Sequence, residues 1–472
     1  MTTSRLSTGI RLPRPIGRQK EVLCLPPVGH VVVLGTAGSG KTTLAVHRAF
    51  HLADGATEHG GRTLLVTFNR CLVAYLNSLV DGVPDQLDVL HYHRFARGYL
   101  QARGRMRHNC ICGPDLQKAL CRDAVESAKQ AGGLFSVVSR PLEVLIEEFH
   151  WIAQHGIQSL DEYVDAERIG RAGTRILRAE RPTVFGIYER YKALRAGRNK
   201  EYDWDDLAQT VLSELRQDLD ERRYRHIVVD EGQDFSPTML RSLAAAIPDQ
   251  GSLTFLGDMA QQIYGHRISW RSAGLNVSDV WRFEENYRNS RQVAELALTI
   301  SKMPLFPDDA DLVAPRSPTA DGPLPALVPF EDEEAETTFV VQQATRAASS
   351  GTVAILLRDR SSEDAFARLL PPSTTRLHGD LERWPARPGI FYGTYHAAKG
   401  LEFDTVILPR LSSAHLPHPP DVAAFGGIEA AVRDLRLLYV GVTRARSNLV
   451  LTHAGLASPL VPLKDGLYQG SH

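Results

Sequence analysis

The stretch Val28-Gly29-His30-Val31-Val32-Val33-Leu34-Gly35-Thr36-Ala37-Gly38-Ser39-Gly40-Lys41-Thr42-Thr43-Leu44-Ala45-Val46 decides the fold. Its first third is valine-rich and largely apolar, the composition of a strand buried on both faces of a parallel sheet. From Thr42 to Val46 the pattern is that of a helix. Between the two, Gly35, Gly40, Lys41 and Thr42 satisfy the spacing G-x-x-x-x-G-K-[ST]. Gly35, Gly38 and Gly40, with Ser39 and Thr43 beside them, let backbone N–H groups close around phosphate oxygens at a helix N-terminus. Lys41 supplies a point charge to the β- and γ-phosphates, and the Thr42 hydroxyl suits Mg²⁺. Strand, glycine loop and helix in that order predict a nucleotide-binding α/β domain.

Working outward, Thr63–Thr67, His226–Asp230 and Leu253–Gly257 are further short apolar strands separated by helical pattern, as in an open parallel sheet. Between the first two of these, residues 96–200 carry little strand signal, long helical periodicity and many arginines, which predicts a helical insertion. Strand pattern restarts at Thr352–Leu357, Thr405–Leu408 and Asn448–Leu451, implying a second α/β domain. The expected division is 1–95 and 201–280 for the first domain, 96–200 for the insertion and 281–472 for the second domain. Pro304 to Pro329, with the acidic run Glu331 to Glu336, reads as an irregular surface excursion.

With 472 residues, 43% hydrophobic and 23% charged, the chain can bury several cores, and disordered, collagen-like and coiled-coil classes are excluded. A net charge of −1 excludes a globally basic nucleic-acid coat, so any such contact is confined to a local groove. Five cysteines, an odd and small number, argue for a reducing compartment. The N-terminus lacks an apolar signal core and no run of membrane-spanning length occurs, so the expectation is a cytoplasmic protein without a membrane partner. His108, Cys110, Cys112 and Cys121 cluster in the insertion, but the spacing is not that of a zinc finger.

A phosphate loop needs a carboxylate for its metal and a group to activate water. Asp230-Glu231, closing an apolar strand, supplies Asp230 for Mg²⁺ and Glu231 as general base. The pair continues as Gly232-Gln233-Asp234, and this run resembles the D-E-x-Q-D box of the UvrD/Rep/PcrA-like family of superfamily 1A DNA helicases. Other segments resemble that family's boxes in its order: Gly17-Arg18-Gln19-Lys20, Thr67-Phe68-Asn69-Arg70, Tyr92-His93-Arg94-Phe95-Ala96, Gly257-Asp258 through Tyr264, Glu284-Glu285-Asn286-Tyr287-Arg288, Thr394-Tyr395-His396 through Phe403, and Leu438-Tyr439 through Ala445. Asp203-Trp204-Asp205-Asp206-Leu207 is similar to the family's acidic signature, although a plain helix cap accounts for Asp203 equally well.

The resemblance implies two RecA-like P-loop domains with a helical 1B-type insertion and ATP bound between them. It implies that Gln19 reads adenine, Tyr287 stacks on it, Glu402 binds near the ribose or phosphate, Gln261 senses the γ-phosphate, and Arg288 and Arg444 act as arginine fingers. For the strand it implicates Phe68, Asn69, His93, Tyr264, His266, Arg267, Thr394 and His396, the aromatic and polar mixture that suits sequence-independent single-strand binding. The implied activity is Mg-ATP hydrolysis driving 3′→5′ movement on single-stranded or tailed DNA, in repair, recombination or anti-phage defence. Only a short span separates Arg358 from Thr394, too short for the family's 2B insertion. That departure leaves a second reading open: a nucleotide-dependent DNA-sensing subunit of a nuclease complex, as in Gabija-like defence, with a separately encoded nuclease subunit as partner.

Overall fold

Valine-rich β1 (Gly29–Gly35) runs through the first sheet and delivers its last residue to the phosphate loop. The computed structural model describes residues 13–79, 84–130, 136–168, 174–258, 270–287, 289–306, 320–379, 381–385 and 388–469. The first sheet also contains β2 (Thr63–Thr67), β3 (Leu87–His91), β4 (His226–Val229), β5 (Ser252–Gly257) and β6 (Val277–Phe283). Its order is β3-β2-β4-β5-β1-β6, and every pairing is parallel. The second sheet is built from β7 (Ala326–Phe330), β8 (Val353–Leu357), β9 (Thr375–Arg376), β10 (Ile390–Thr394), β11 (Phe403–Leu408) and β12 (Ala445–Ala454), ordered β7-β12-β11-β8-β10-β9 and again all parallel. Two parallel sheets flanked by helices are the expected fold class.

β2, β4 and β5 are buried at every position, as strands covered by helices on both faces require. One apolar cluster runs from Val33, Leu44 and Leu72 in the first domain to Leu356, Leu401 and Leu438 in the second, so the two sheets share packing across their interface. The helical stretch between β3 and β4 has its own core, with Cys121, Leu145, Phe149, Ile152, Val184 and Tyr191 at its centre. The helix Tyr92–Ala102 straddles residue 96, where the insertion is expected to begin. Its Phe95, Ala96 and Leu100 pack instead on Val66, Leu207 and Ile227 of the first sheet's core. β6 likewise extends past residue 280 before the chain crosses to the second domain. Between β8 and β10 the described residues contain one five-residue helix, Glu363–Ala367, and the two-residue β9. Among the described residues no helix is long and apolar enough to cross a membrane.

The expectation of an irregular excursion from Pro304 to Glu336 is corrected at its C-terminal end; residues 307–319 lie outside the described set. β7 occupies Ala326–Phe330 despite Pro329, because β7 is an edge strand paired only with β12 and a proline there forfeits no ladder bond the sheet needs. The acidic run opens the helix Glu333–Ala347, capped by Asp332, whose side chain accepts from the Ala335 N–H at 2.8 Å. Negative charge in a first turn is favourable against the helix dipole. Glu336 is fully buried: it accepts from the Arg410 N–H at 2.8 Å and the Thr452 hydroxyl at 2.6 Å, and it is ion-paired with the Arg410 guanidinium. Removing one partner of such a pair strands a buried charge, so Glu336→Ala should lower stability by about 3–5 kcal/mol, measured as the shift in a chemical-denaturation midpoint; a shift within error would show that the ion pair holds nothing together.

Candidate nucleotide and strand site

The phosphate loop closes through two left-handed glycines, Gly38 and Gly40, at φ 79° and 81°. Gly40 is also crowded, since a Cβ there would stand 2.6 Å from Gln19 Nε2. Gln19 is buried over the loop: Nε2 donates to the Ser39 carbonyl at 2.9 Å and Oε1 accepts from the Ile16 N–H at 3.1 Å. A cleft of about 260 Å³ opens beside it, lined by Arg18, Gln19, Ser39, Phe283 and Tyr287. Tyr287 sits half-exposed on its rim and donates its N–H to the Gly38 carbonyl at 2.9 Å. The two predicted adenine-side residues, Gln19 and Tyr287, are therefore brought to one cleft at the loop.

Lys41 is buried, and its ammonium donates to the Gly35 carbonyl at 2.9 Å and the Thr36 carbonyl at 2.6 Å. Thr42 and Thr43 follow as the second and third residues of the helix Lys41–Ala53. The Thr42 hydroxyl is hydrogen-bonded to Asp230, whose Oδ2 is buried with no hydrogen-bond partner among the described residues. A hydroxyl and an unsatisfied carboxylate oxygen side by side at a helix N-terminus fit Mg²⁺, which takes few protein oxygens and keeps waters and phosphates for the rest. Asp230 is pushed up to about 7, chiefly by burial and next by the Glu231 charge, with Thr42 and Lys41 opposing.

Glu231 takes the left-handed conformation, φ 53°, rare outside glycine and asparagine. Burial works against its charge, yet Lys399, Arg444 and Lys41 outweigh burial and hold the carboxyl below its ordinary value. Its Oε2 accepts from Gln233 Nε2 at 2.5 Å. Gln233 Oε1 in turn accepts from the Asp258 N–H at 2.9 Å, tying the end of β4 to the end of β5. Arg444, fully buried in the second domain, donates to the carbonyls of Val440 at 3.0 Å and Leu401 at 3.3 Å. Glu402 accepts from Arg446 Nε at 3.2 Å.

The second domain reaches the first through the segment after β10. Lys399, 2% exposed, is ion-paired with Asp234. Gly400, at φ 79°, brings the backbone so close that a Cβ would meet Leu72 at 2.7 Å and Glu231 Oε1 at 3.4 Å. Asn69, expected to contact the strand, instead spends its side chain on the interface. Its amide donates to the carbonyls of Ala397 at 3.0 Å and Lys399 at 2.7 Å, while its oxygen caps the following helix through the Cys71 N–H.

Phe68 and His93 meet edge to face at 5.7 Å, and His93 meets Trp204 the same way at 5.2 Å. Arg70 lies over the Trp204 ring. On the facing domain, Thr394 closes β10 and His396 follows. His93 is pushed down to about 4 by burial and then by Arg70, and His396 to about 4 by burial and then by Arg358 and Lys399, against Asp421. The helix Leu142–His155 reaches both domains: Gln154 donates to Asp205, next to Trp204, at 2.9 Å, and Glu147 accepts from Arg433 of the second domain at 2.6 Å. Gln261, Tyr264, His266, Arg267 and Arg288 lie outside the described residues.

Two participants lie inside quoted boxes but carry no role from the sequence. Lys399 had one signal, a lysine in a chain whose cations are mostly arginine; Trp204 had another, an aromatic inside an acidic capping segment. Among the described residues no group of three or more His, Cys, Asp and Glu side chains is placed to hold a metal ion. Cys112 and Cys121 pack in the helical core, and Cys110 lies against Met106.

A model of the UvrD/REP helicase N-terminal domain matches residues 17–279, and one of the UvrD-like helicase C-terminal domain matches residues 372–455. The chain is 26% identical to the ATP-dependent DNA helicase UvrD2 of Mycobacterium tuberculosis, over 94% of this chain and 79% of that one. That alignment runs over 563 positions, more than this chain possesses, so the relative carries residues within it that have no counterpart here. It is 25% identical to the putative ATP-dependent DNA helicase YjcD of Bacillus subtilis, over 75% of this chain and 47% of that one. It is also 25% identical to the ATP-dependent DNA helicase PcrA of Staphylococcus aureus, over 56% and 35%.

Two outcomes follow from the charges. Because folded Asp230 keeps a proton that the unfolded chain has lost between about pH 4 and 7, stability falls as pH rises through that window. Asp230→Asn should therefore raise the nucleotide-free Tm at about pH 8, with the gain vanishing near pH 4; an equal Tm at both pH values would refute the buried-charge account. With His93 and His396 both neutral, neither ring should contribute a titration step to single-strand affinity between about pH 6 and 8; a fluorescence-anisotropy titration of the His266→Asn variant that weakens by tenfold across that range would contradict it.

Proposed function

This chain belongs to the UvrD/Rep helicase family of ATP-dependent DNA helicases, and on that footing we propose a compact motor that hydrolyses Mg-ATP to move 3′→5′ along single-stranded DNA. Its work would lie in DNA repair, recombination or anti-phage defence. The helical stretch serves as the 1B-type insertion between the two parts of the first domain, and the second domain carries no 2B insertion.

The observation that carries the proposal is the segment Thr394–Glu402. It opens with Thr394, which closes β10, and His396, while Lys399 pairs with Asp234 and Gly400 abuts Glu231. One short piece of backbone thus supports coupling of the state of the nucleotide to grip on the strand.

Phosphoryl transfer passes through a loose transition state, so positioning and charge stabilisation supply most of the rate. Lys41 exchanges its two loop carbonyls for the β- and γ-phosphate oxygens when ATP enters. Thr42 and Asp230 would hold Mg²⁺, which neutralises phosphate charge. Glu231, kept ionised by Lys399, Arg444 and Lys41, accepts a hydrogen bond from the attacking water and orients it in line with the γ-phosphorus. Arg444, with Arg288, donates to the oxygens on which charge develops, a task that suits a guanidinium because it stays charged when buried. Loss of the γ-phosphate removes the anion that these second-domain cations share with the first domain, and the cleft relaxes.

A second reading, a DNA-sensing subunit dependent on a nuclease, is favoured by the slight structure of the described residues between β8 and β10, where the family resemblance implies a 2B insertion. The test that separates them is steady-state ATP hydrolysis by the isolated protein, with and without single-stranded DNA, alongside unwinding of a 3′-tailed duplex. The motor predicts strand-stimulated turnover that Lys41→Ala and Glu231→Gln each reduce by at least about a hundredfold. Wild-type turnover that ignores the strand, with ATP binding intact, would sink the autonomous motor.

A further inference from the structure

A cleft of about 750 Å³ runs down the outer edge of the first sheet, between edge strand β3, the helix Tyr92–Ala102 and the end of the helix Asp206–Gln217. Its charges divide in two. At the end away from the strand wall the cations are matched: Asp88 takes Arg62 and Arg223 together with the Tyr224 hydroxyl, and Asp218 takes Arg103 and Arg222. At the end nearest Trp204 they are not. Arg94 and Arg97 are exposed, three residues apart on one helix face, and neither forms an ion pair among the described residues. Arg70 joins them, its guanidinium over the Trp204 ring.

His91 stands among these three arginines, its Nδ1 accepting from the Arg94 N–H. Burial is the first cause that pushes it down to about 3, and the surplus of positive charge from Arg70, Arg94 and Arg97 adds to it. An anion relieves such a surplus, and the cleft opens directly from the aromatic wall. Arg70 belongs to both, and the His91 and His93 rings are 6.3 Å apart.

We propose that this cleft is a second nucleic-acid site, which takes the phosphodiester backbone of the strand where it passes beyond Phe68, His93 and Trp204, with Arg94 and Arg97 as its phosphate contacts. The bound strand thereby extends past the interdomain groove along the β3 edge, and its footprint is longer than the groove alone. The inference rests on the motor reading above. Arginines that hold phosphates without reading bases suit a track that any sequence must traverse.

The test is a fluorescence titration with labelled oligothymidylates of increasing length at several salt concentrations, using the full chain. Arg94→Glu/Arg97→Glu is compared with wild type and with Arg346→Glu/Arg368→Glu, the same charge change on the second domain. Each lost single-strand phosphate contact lowers the slope of log affinity against log salt by about 0.7, so the cleft variant should lose about 1.4. It should also lose the extra affinity of long over short oligonucleotides, while short ones bind as in wild type and the second-domain control changes neither property. Equal slopes and equal length dependence in wild type and cleft variant would overturn the proposal and leave the cleft to another occupant, such as an acidic protein segment. Wild-type protein that binds no oligonucleotide and shows no strand-stimulated ATP turnover would overturn the motor reading as well, an outcome told apart from the first by the short oligonucleotides.

Discussion

Three carboxylates within five residues, Asp230, Glu231 and Asp234, are buried at the end of β4. Charges of one sign in a low-dielectric cleft repel one another, and each is costly to desolvate. Among the described residues the first domain supplies one close cation, Lys41. The second supplies Lys399, paired with Asp234, and Arg444, whose charge helps to hold Glu231 ionised. These carboxylates therefore depend on the neighbouring domain for their electrostatic balance. Apolar packing brings the domains together, and the unsatisfied charge at the end of β4 determines which residues of the second domain must face it.

Several features acquire a reason from that constraint. Gly400 adopts a left-handed conformation and lacks a side chain because backbone must pass between Leu72 and Glu231. Asn69 holds that backbone from below through two carbonyls. Glu231 tolerates a left-handed φ because Gln233 and the facing cations over-determine where its carboxylate lies, the circumstance in which local strain persists. Thr394 and His396 lie in the same stretch as Lys399 and Gly400, so the backbone that supplies the cleft cation also carries these two side chains. The helix Leu142–His155, reaching Asp205 with one end and Arg433 with the other part of its length, links that wall to both domains.

Legibility in the sequence followed burial and chemistry. β1, β2, β4 and β8 are continuous apolar runs, and their positions were evident. β3, with Asp88 and His91, and β6, with Arg282, carry polar residues at the sheet edges, where one side of the strand meets solvent and the pattern weakens. β7 contains a proline that argues against a strand until its edge position is known. The phosphate loop and Asp230-Glu231 were legible because their chemistry demands particular residue types at a fixed local spacing. Trp204 and Lys399 were less so, since their partners lie far away in the chain. The resemblance implies a strand contact for Asn69; its role as a helix cap is local, through the Cys71 N–H, while its role at the interface depends on where residues 397–399 fold.

The sequence by itself determined the class of fold, the glycine loop between strand and helix, the order of the boxes and the residues proposed to handle phosphate, because each of these depends on neighbours a few residues apart. Only the tertiary structure decided which charges balance Glu231 and Asp234, why Gly400 has no side chain, how Phe68, His93 and Trp204 form one wall, and where arginines are left without carboxylates. Those properties depend on distances between segments hundreds of residues apart, and a Coulomb interaction or an aromatic contact is set by separation in space, which sequence separation does not specify.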